Sequence, residues 1–329
     1  MQPIVILTIF LALFFDFVNG FHDSANAIAT IVVTRVLTPH QAVIMAALGN
    51  FIGAFVFPVA VATTIGKGII DPGSITTTIL IAALFGAIIW NLITWRWGLP
   101  TSSSHALIGG MIGAALVSKG ASIVNWSGII KTIEFIVIAP FLGGIGAFLF
   151  AILVFYLVRN TRPAKVNKYF RKLQLISATF YAVSHGTNDA QKTMGIIVAL
   201  LVSSKYLDHF YVPIWVILSA HAAIAFGTYF GGWRIVKTIG TKIKMLRPVD
   251  GFCAETGGGI VLLFTALAGI PVSTTHVISG AIIGVGTVKN VSSVRWGVTR
   301  RIIWTWLVTI PAGATISALS FFIFRLLIK

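Results

Sequence analysis

The sequence predicts an all-α polytopic membrane protein, built from two inverted repeats that contain broken helices and two re-entrant helical hairpins. Three observations support this fold class: the composition, a duplicated set of polar motifs, and an opposite charge bias in equivalent loops. Of the 329 residues, 57% are hydrophobic and only 10% are charged, and the mean hydropathy is +0.96. A soluble domain carries about 25% charged residues, so the composition excludes that class.

Long apolar runs mark the predicted membrane crossings. They are long enough, or nearly so, to span a bilayer as helices, which makes the lipid bilayer a predicted partner. No basic region precedes the first run, so we expect a retained helix rather than a cleaved signal peptide. The runs are Ile4–Phe15, Gln41–Ile65, Ile75–Trp95, Phe135–Val158, Val212–Phe230 and Ile302–Leu327.

The net charge of +16 would indicate a nucleic-acid partner in a soluble protein. Here the basic residues cluster in a few short loops, which is typical of the cytoplasmic loops of membrane proteins. We therefore predict no nucleic-acid binding. The single cysteine, Cys253, excludes an internal disulfide and a cysteine-based metal site. Neither a metal site nor a cofactor is predicted.

Two polar motifs occur twice, about half the chain apart. GFHDSAN at 20–26 recurs as GTNDAQK at 186–192, and GLPTSSSH at 98–105 recurs as GIPVSTTH at 269–276. The order of the motifs is the same in both halves. We therefore predict that residues 1–160 and 161–329 are two copies of one unit. Each copy contains an Asp motif and a hairpin, and the hairpins are predicted at 98–118 and 269–289.

Equivalent loops of the two copies differ in charge. The start of the first copy is uncharged, whereas the start of the second carries six basic residues between positions 159 and 172. Opposite charge bias in equivalent loops predicts opposite sides of the membrane, and hence inverted repeats. Inversion requires an odd number of crossings per copy. The simplest reading of the apolar runs gives four, so the number of crossings stays open.

The Asp motifs predict helix breaks inside the membrane, because Gly20 and Gly186 interrupt apolar segments. A broken helix frees backbone carbonyls, and these can join side-chain oxygens in a site for a hard cation such as Na⁺. A desolvated carboxylate could carry a proton instead. A single buried polar residue can equally well bond a neighbouring helix, but a matched pair of Asp sites favours function. The candidate residues are Asp23, Asn26, Asn188 and Asp189.

The hairpin motifs predict an anion site. In each one a proline ends the incoming helix, and hydroxyl residues open the next helix, where free backbone amides and the helix dipole favour negative charge. Ordinary N-capping explains one hydroxyl per helix, not three in succession in both copies. Two such termini near the midplane would surround a tetrahedral oxyanion with donors. The candidate residues are Thr101, Ser102, Ser103 and Ser104 in the first copy and Ser273, Thr274 and Thr275 in the second.

The two copies differ at positions that bear on coupling. Aligning Asp23 with Asp189 places Lys192 opposite Asn26. The Lys192 ammonium could fill the volume of a second coupling cation and so favour proton coupling, although it could instead extend to the membrane interface. Glu255 aligns with Leu84 and is a further candidate ligand for a proton or cation.

The four motifs resemble the signatures of the inorganic phosphate transporter (PiT) family of secondary permeases, and the resemblance covers nearly the whole chain. It implies symport of inorganic phosphate with Na⁺ or H⁺, with the Asp motifs and hairpins forming the site. It also implies a homodimer and a multi-pass location in the plasma membrane of a prokaryote. Sodium-coupled members tend to carry Asn in both Asp motifs, so Lys192 resembles the proton-coupled bacterial members and favours H⁺ over Na⁺.

Alternative functions follow from the same residues. HPO₄²⁻ keeps one proton, so a carboxylate such as Asp23 can accept a hydrogen bond from it, whereas sulfate has no proton to donate. A phosphate transporter is therefore favoured over a sulfate permease. Phosphate could also travel as a metal–phosphate complex. An intramembrane hydrolase using Ser103, His105 and Asp23 is a remote alternative, because an enzyme needs one such set and here every motif is present in both halves. A protein of this kind is expected to work by alternating access rather than as an enzyme.

Overall fold

The fold is all-helical in the computed structural model, which describes residues 1–56 and 58–327. Its helices are α1 (Pro3–Val33), α2 (Pro39–Ile52), α3 (Ala60–Gly68), α4 (Thr77–Trp97), α5 (Ser103–Lys119), α6 (Trp126–Val158), α7 (Pro163–Ser203), α8 (Ile214–Phe230), α9 (Trp233–Lys237), α10 (Pro248–Leu267), α11 (Thr274–Thr287) and α12 (Trp296–Leu327). A π-helical turn, Thr238–Lys242, continues α9.

Several helices are suited to cross a membrane. Within the described ranges α1, α4, α6, α10 and α12 are long and apolar enough by themselves. The bent pairs α2–α3 and α8–α9 each meet the same criterion as a unit, and the second pair bends by 63°. Hydrophobic side chains face outward on α6 and α12, as expected of helices in contact with lipid. The predicted polytopic all-α fold is confirmed.

The helix breaks do not lie at the two predicted glycines. Helices α1 and α7 run unbroken through Gly20 and Gly186, and the breaks fall instead within the α2–α3 and α8–α9 pairs. The glycines have a packing role: a Cβ on Gly20 would lie 2.1 Å from the carbonyl oxygen of Ile224, and one on Gly186 would lie 2.5 Å from that of Asn50. Each glycine therefore lets its helix touch the backbone of a helix from the other repeat.

The equivalent helices α1 and α7 run antiparallel. At one end the backbone N–H of Gln2 donates to the Tyr206 hydroxyl at 2.7 Å, just beyond the C-terminus of α7. At the other end Arg171, near the start of α7, donates to the carbonyl of Arg35 at 2.7 Å, just beyond the end of α1. Because α1 and α7 open the two repeats, their opposite directions are those of inverted repeats.

Contacts between helix ends define two faces of the molecule. We call the face where α1 ends and α7 begins the basic face. Lys289 and Arg247 lie there over the ring of Phe155, near the end of α6. At the opposite face Lys119, at the end of α5, donates to the carbonyl of Ser74 at 3.4 Å. The six basic residues between positions 159 and 172 also lie around the start of α7, so most of the basic residues named are on one side, as the positive-inside rule describes for the cytoplasm.

Within the described residues α1, the α2–α3 pair and α6 of the first repeat each run from one face to the other, and α4 and α5 form the hairpin between the last two. Asn125, just before α6, donates its backbone N–H to the carbonyl of Ile69 at 3.0 Å, so α6 starts beside the end of α3. Three such segments are an odd number, as inverted repeats require.

The hairpins carry their turns into the interior. Gly98 and Gly269 follow α4 and α10 in the left-handed conformation, with φ of +64° and +67°. The residues after them are buried, so the polar tips lie inside the helix bundle. Helix α5 packs against α12 and helix α11 against α6. Each hairpin is thus held by the last helix of the other repeat.

Candidate functional site

The Asp189 carboxylate is surrounded by donors at the centre of the bundle. Lys192, one turn further along α7, forms an ion pair with Asp189 Oδ1 and donates to the carbonyl of Val272 at 3.0 Å. Thr274 Oγ1 donates to Asp189 Oδ2 at 3.1 Å. His185 Nε2 lies 3.2 Å from the same oxygen. The alternative in which Lys192 extends to the membrane interface is excluded, because its side chain is buried and bonded inside the protein.

Asn26 reaches the same hairpin from the first repeat. Its amide Nδ2 donates to Thr275 Oγ1 at 2.9 Å and lies 3.3 Å from Thr274 Oγ1. Asn26 and Lys192 thus occupy matching positions in α1 and α7 and both contact residues 272–275. The hydroxyl of Thr274 lies between them, since it also bonds Asp189.

Asp23 is linked to the first hairpin through its neighbour. His22 Nδ1 lies 2.6 Å from Asp23 Oδ1. On its other side His22 Nε2 lies 3.1 Å from Thr94 Oγ1 and 3.2 Å from Thr101 Oγ1. Thr101 therefore holds the histidine that orients the first carboxylate, and the Asp motif and hairpin of one repeat are joined.

The two Asp motifs converge. One ligand atom each from Asp23, His185 and Asp189 lie within 4.8 Å of one another, and all three residues are buried. The carboxylates of Asp23 and Asp189 and the ammonium of Lys192 give the cluster one net negative charge when the imidazoles of His22 and His185 are neutral. Buried charge is costly unless it is balanced. The cluster can therefore accept one further positive charge, either a proton or a small cation.

The hydroxyls of the hairpins divide into two groups. Ser102 and Ser273 are N-caps, since their hydroxyls accept the backbone N–H of His105 at 3.3 Å and of His276 at 3.2 Å. Ser103 and Ser104 follow the first cap, and both are buried. In the described part of the chain Ser103 Oγ has no hydrogen-bond partner. The first hairpin thus presents an unused donor at a helix N-terminus, whereas the matching Thr274 is engaged with Asp189.

The N-termini of α5 and α11 meet head to head. The rings of His105 and His276 make an edge-to-face contact with centroids 4.6 Å apart, and His276 stacks on Trp306 at 3.8 Å. These histidines act as packing groups between the hairpins. The positive ends of both helix dipoles consequently point toward the same central region.

Two predicted residues have different surroundings. Asn188 donates from Nδ2 to the carbonyl of Leu262 at 2.9 Å, and its Oδ1 has no partner within residues 1–56 and 58–327. Glu255 is bonded away from the cluster, where it accepts from Gln174 Nε2 at 2.9 Å and from Ser177 Oγ at 2.5 Å. The structure brings Asn26, Asp189 and Lys192 together with the second hairpin and links Asp23 to the first hairpin through His22. Glu255 lies outside these hydrogen bonds.

Sequence reasoning missed some buried polar residues around the cluster. Asn50 Oδ1 lies 3.0 Å from His185 Nδ1, and Asn50 Nδ2 donates to Thr228 Oγ1 at 2.8 Å. Asp16 is fully buried in the first helix. Both signals were present in the sequence, since Asn50 and Asp16 each interrupt an apolar run. Because neither belongs to a duplicated motif, the repeat does not reveal them.

The comparisons with known proteins agree with this architecture. A family model described as the Phosphate transporter family matches residues 19–166 and, a second time, residues 158–317. The chain belongs to this family. The double match covers both Asp motifs and both hairpins of the transporter, so the two repeats are repeats of the family unit.

Individual relatives cover almost the whole transporter. It is 54% identical over 321 residues to a probable low-affinity inorganic phosphate transporter of Rhizobium meliloti, covering 97% of this chain and 96% of the relative. A protein of the same description from Bacillus subtilis is 44% identical over 333 residues, covering 99% and 100%. Among solved structures, one titled the sodium-dependent phosphate transporter superposes with a TM-score of 0.88 at 27% identity, covering 99% of this chain and 100% of that one.

The family decides between transport and catalysis. These relatives are transporters, not enzymes, so the remote hydrolase alternative is excluded. Multiple apolar helices place the transporter in a membrane.

Proposed function

We propose that the protein is a secondary active symporter that imports inorganic phosphate by alternating access, driven by H⁺ rather than Na⁺. The observation that carries the choice of ion is the buried ion pair of Lys192 with Asp189. The positive-inside rule assigns the basic face to the cytoplasm of a prokaryotic plasma membrane, and an inward proton gradient then drives import.

Phosphate binds where the hairpin N-termini meet the Asp cluster. Ser103 and Ser104 supply hydroxyls, and the first turns of α5 and α11 supply backbone N–H groups that lack intrahelical partners. Lys192 adds an ammonium to the same region. The other nominated side chains hold this arrangement: Ser102 and Ser273 cap the helices, Thr101 orients His22, and Thr274 and Thr275 fix Asn26 and Asp189.

Lys192 argues for the proton. Sodium sites in such proteins use carboxylate and carbonyl oxygens, and here Asp189 Oδ1 and the Val272 carbonyl are already bound by the Lys192 ammonium. A fixed cation thus occupies the matching position of the second repeat. A further metal ion nearby would be repelled by it, whereas a proton can add to a single carboxylate.

Selectivity for phosphate follows from the carboxylates. The hydroxyl of HPO₄²⁻ can donate a hydrogen bond to Asp23 or Asp189, while sulfate would meet the same oxygens without a donor. An unpaired buried acceptor costs about 1–3 kcal/mol, and more for a charged group. A sulfate permease is the competing reading. A metal–phosphate complex is a third, since a neutral complex would avoid bringing a dianion beside the carboxylates.

The packing of each hairpin against the last helix of the other repeat supports alternating access. Helices α5 and α12 form one packed pair and helices α11 and α6 another, with the site between them. A rocking motion of one pair against the other would expose the site to each face in turn. The homodimer and the role of Glu255 in coupling stay predictions.

The test is uptake of labelled phosphate into proteoliposomes, with pH and Na⁺ gradients imposed separately. We expect accumulation driven by an inward proton gradient and little change on adding Na⁺. Uptake that requires Na⁺ would contradict the choice of ion and favour a sodium symporter like the solved relative. Sulfate uptake that excess phosphate does not reduce would favour the sulfate permease. A requirement for Mg²⁺ or Ca²⁺ would identify the metal complex as the cargo.

A further inference from the structure

A second buried carboxyl group lies on α1, outside the central cluster. Asp16 is fully buried and precedes Asp23 by seven residues. Seven residues are nearly two helical turns, so Asp16 lies on the same side of α1 as Asp23, about 10 Å closer to the helix N-terminus. Helix α1 begins at the face opposite the basic face. Asp16 therefore lies between the central cluster and the proposed outside.

The polar atoms around Asp16 are incompletely bonded. Asn19 Nδ2 donates weakly to Asp16 Oδ1 at 3.4 Å, and the Thr193 hydroxyl on α7 faces the same carboxyl group. Considering all described residues, Asp16 Oδ2, Asn19 Oδ1 and Thr193 Oγ1 have no hydrogen-bond partner. Buried polar atoms are nearly always bonded, and the Thr193 hydroxyl can supply a hydrogen to only one of the two remaining acceptors, so a proton on Asp16 would satisfy the other.

The charges that face Asp16 come from α7. They are Asp189 and Lys192, and the ammonium of Lys192 is committed to Asp189 and to the carbonyl of Val272. Asp16 is thus left without a counter-charge of its own. A buried carboxylate in that position costs several kcal/mol unless it is neutralised. A proton neutralises it with one bond, since its O–H can then donate to Asn19 Oδ1.

A metal ion fits this place less well. Three free oxygens are few for a hard cation, and the nearby Lys192 ammonium would repel it. The group also has no equivalent in the second repeat. By the alignment of the Asp motifs Asp16 matches Ala182 and Thr193 matches Ala27. Asp16 has no carboxyl group opposite it in the second repeat, and Lys192 has no ammonium opposite it in the first. The charges of these two residues interact, so the two differences between the repeats are connected.

We propose that Asp16 is the proton-binding site that couples phosphate import to the proton gradient. This inference rests on the proposed proton-driven symport. A proton from the outside binds Asp16 and leaves Lys192 paired with Asp189. When Asp16 loses its proton, its carboxylate competes with Asp189 for the Lys192 ammonium. The charge of Asp16 thereby acts on the phosphate site without contact between Asp16 and phosphate.

The experiment separates coupling from phosphate binding in proteoliposomes of the full chain. One assay measures accumulation of labelled phosphate driven by a pH gradient, and the other measures exchange of external labelled phosphate for internal phosphate with no gradient. Exchange requires the phosphate site and alternating access but no net proton release. For Asp16→Asn we expect exchange close to the wild-type rate and accumulation at the level of protein-free liposomes. Asp16→Glu retains a titratable group and should retain gradient-driven accumulation.

Thr8→Val on the same helix is the matched control, because Thr8 is buried and donates only to the carbonyl of its own helix at Ile4, 2.7 Å away. It should behave as wild type in both assays. Gradient-driven accumulation by Asp16→Asn would overturn the inference. So would loss of exchange in both Asp16→Asn and Asp16→Glu, which would indicate a structural role. If wild-type protein transports phosphate equally well with and without a pH gradient, both the proposed proton coupling and the role of Asp16 are wrong. Failure of wild-type protein to transport phosphate would contradict the proposed function itself.

Discussion

The two Asp motifs hold equivalent positions and bear different charges. In the first repeat the neutral amide of Asn26 donates to hydroxyls of the second hairpin. In the second repeat Lys192 contacts the backbone of that hairpin and pairs with Asp189 on its own helix. The shared motif determines where a side chain lies, and the residue at its last position determines the charge there. The duplicated motif thus accounts for the shared geometry, and we expect its departure at Lys192 to bear on the choice of coupling ion.

The largest effect is expected from Asp189→Asn, which leaves the Lys192 ammonium buried without a counter-charge. Breaking a buried ion pair by removing one partner costs about 3–5 kcal/mol. We expect phosphate uptake to fall to the background of empty liposomes and the thermal unfolding temperature in detergent to drop. Asp71→Asn is the control, since Asp71 is an exposed carboxylate. Normal uptake by Asp189→Asn would remove Asp189 from the site.

Lys192→Asn makes the second motif match the first and so tests the comparison directly. Removing the ammonium frees Asp189 and the Val272 carbonyl, and the new Asn side chain adds an amide oxygen, so that three oxygen ligands become available to Na⁺. We expect proton-driven uptake to weaken and a stimulation by Na⁺ to appear, on the order of tenfold, which corresponds to about 1.4 kcal/mol. Uptake is measured against graded Na⁺ at constant pH.

Lys192→Met is the matched control for that change, because it removes the charge and adds no oxygen ligand. It should lose proton-driven uptake and gain no response to Na⁺. If Lys192→Asn and Lys192→Met behave alike, the lysine does not stand in for a cation. The asymmetry between the repeats would then have a structural cause only.

The sequence predicts this site well where chemistry is duplicated. The repeated Asp motif identifies four of its residues, because it occurs twice at equivalent positions within apolar sequence. They are Asp23, Asn26, Asp189 and Lys192. The prediction of helix breaks at Gly20 and Gly186 is wrong. A glycine in an apolar segment is typical either of a helix break or of a close approach by a neighbouring helix. Sequence alone does not say which neighbour approaches. The sequence does not predict a role for Asp16, because the second repeat has no equivalent carboxyl group and the environment of Asp16 depends on Thr193, which is distant in the sequence.

The packing of Gly186 provides a smaller effect. A Cβ there would meet the backbone of Asn50 at 2.5 Å, and backbone cannot move aside as a flexible side chain can. We expect Gly186→Ala to destabilise the protein by about 1–3 kcal/mol, the usual cost of overpacking. Gly146→Ala is the control, since no described atom outside its own helix lies within 4 Å of the added Cβ. Equal unfolding temperatures for the two variants would show that α7 and α2 can separate freely.

The smallest effects compare the hydroxyls of the two hairpins. Ser273 caps α11, so Ser273→Ala should cost about 1 kcal/mol of stability, the usual cost of losing an N-cap. Ser103 bonds no described residue, so Ser103→Ala should leave the unfolding temperature unchanged and instead raise the KM for phosphate several-fold, the effect of losing a hydrogen bond worth about 1 kcal/mol. Thermal unfolding and the concentration dependence of uptake separate the two outcomes. If Ser103→Ala lowers stability and leaves KM unchanged, its hydroxyl serves the fold, and phosphate would be held by the other donors of the two hairpins. The free hydroxyl of the first hairpin and the engaged hydroxyl of Thr274 would then be a further asymmetry of packing without a role in binding.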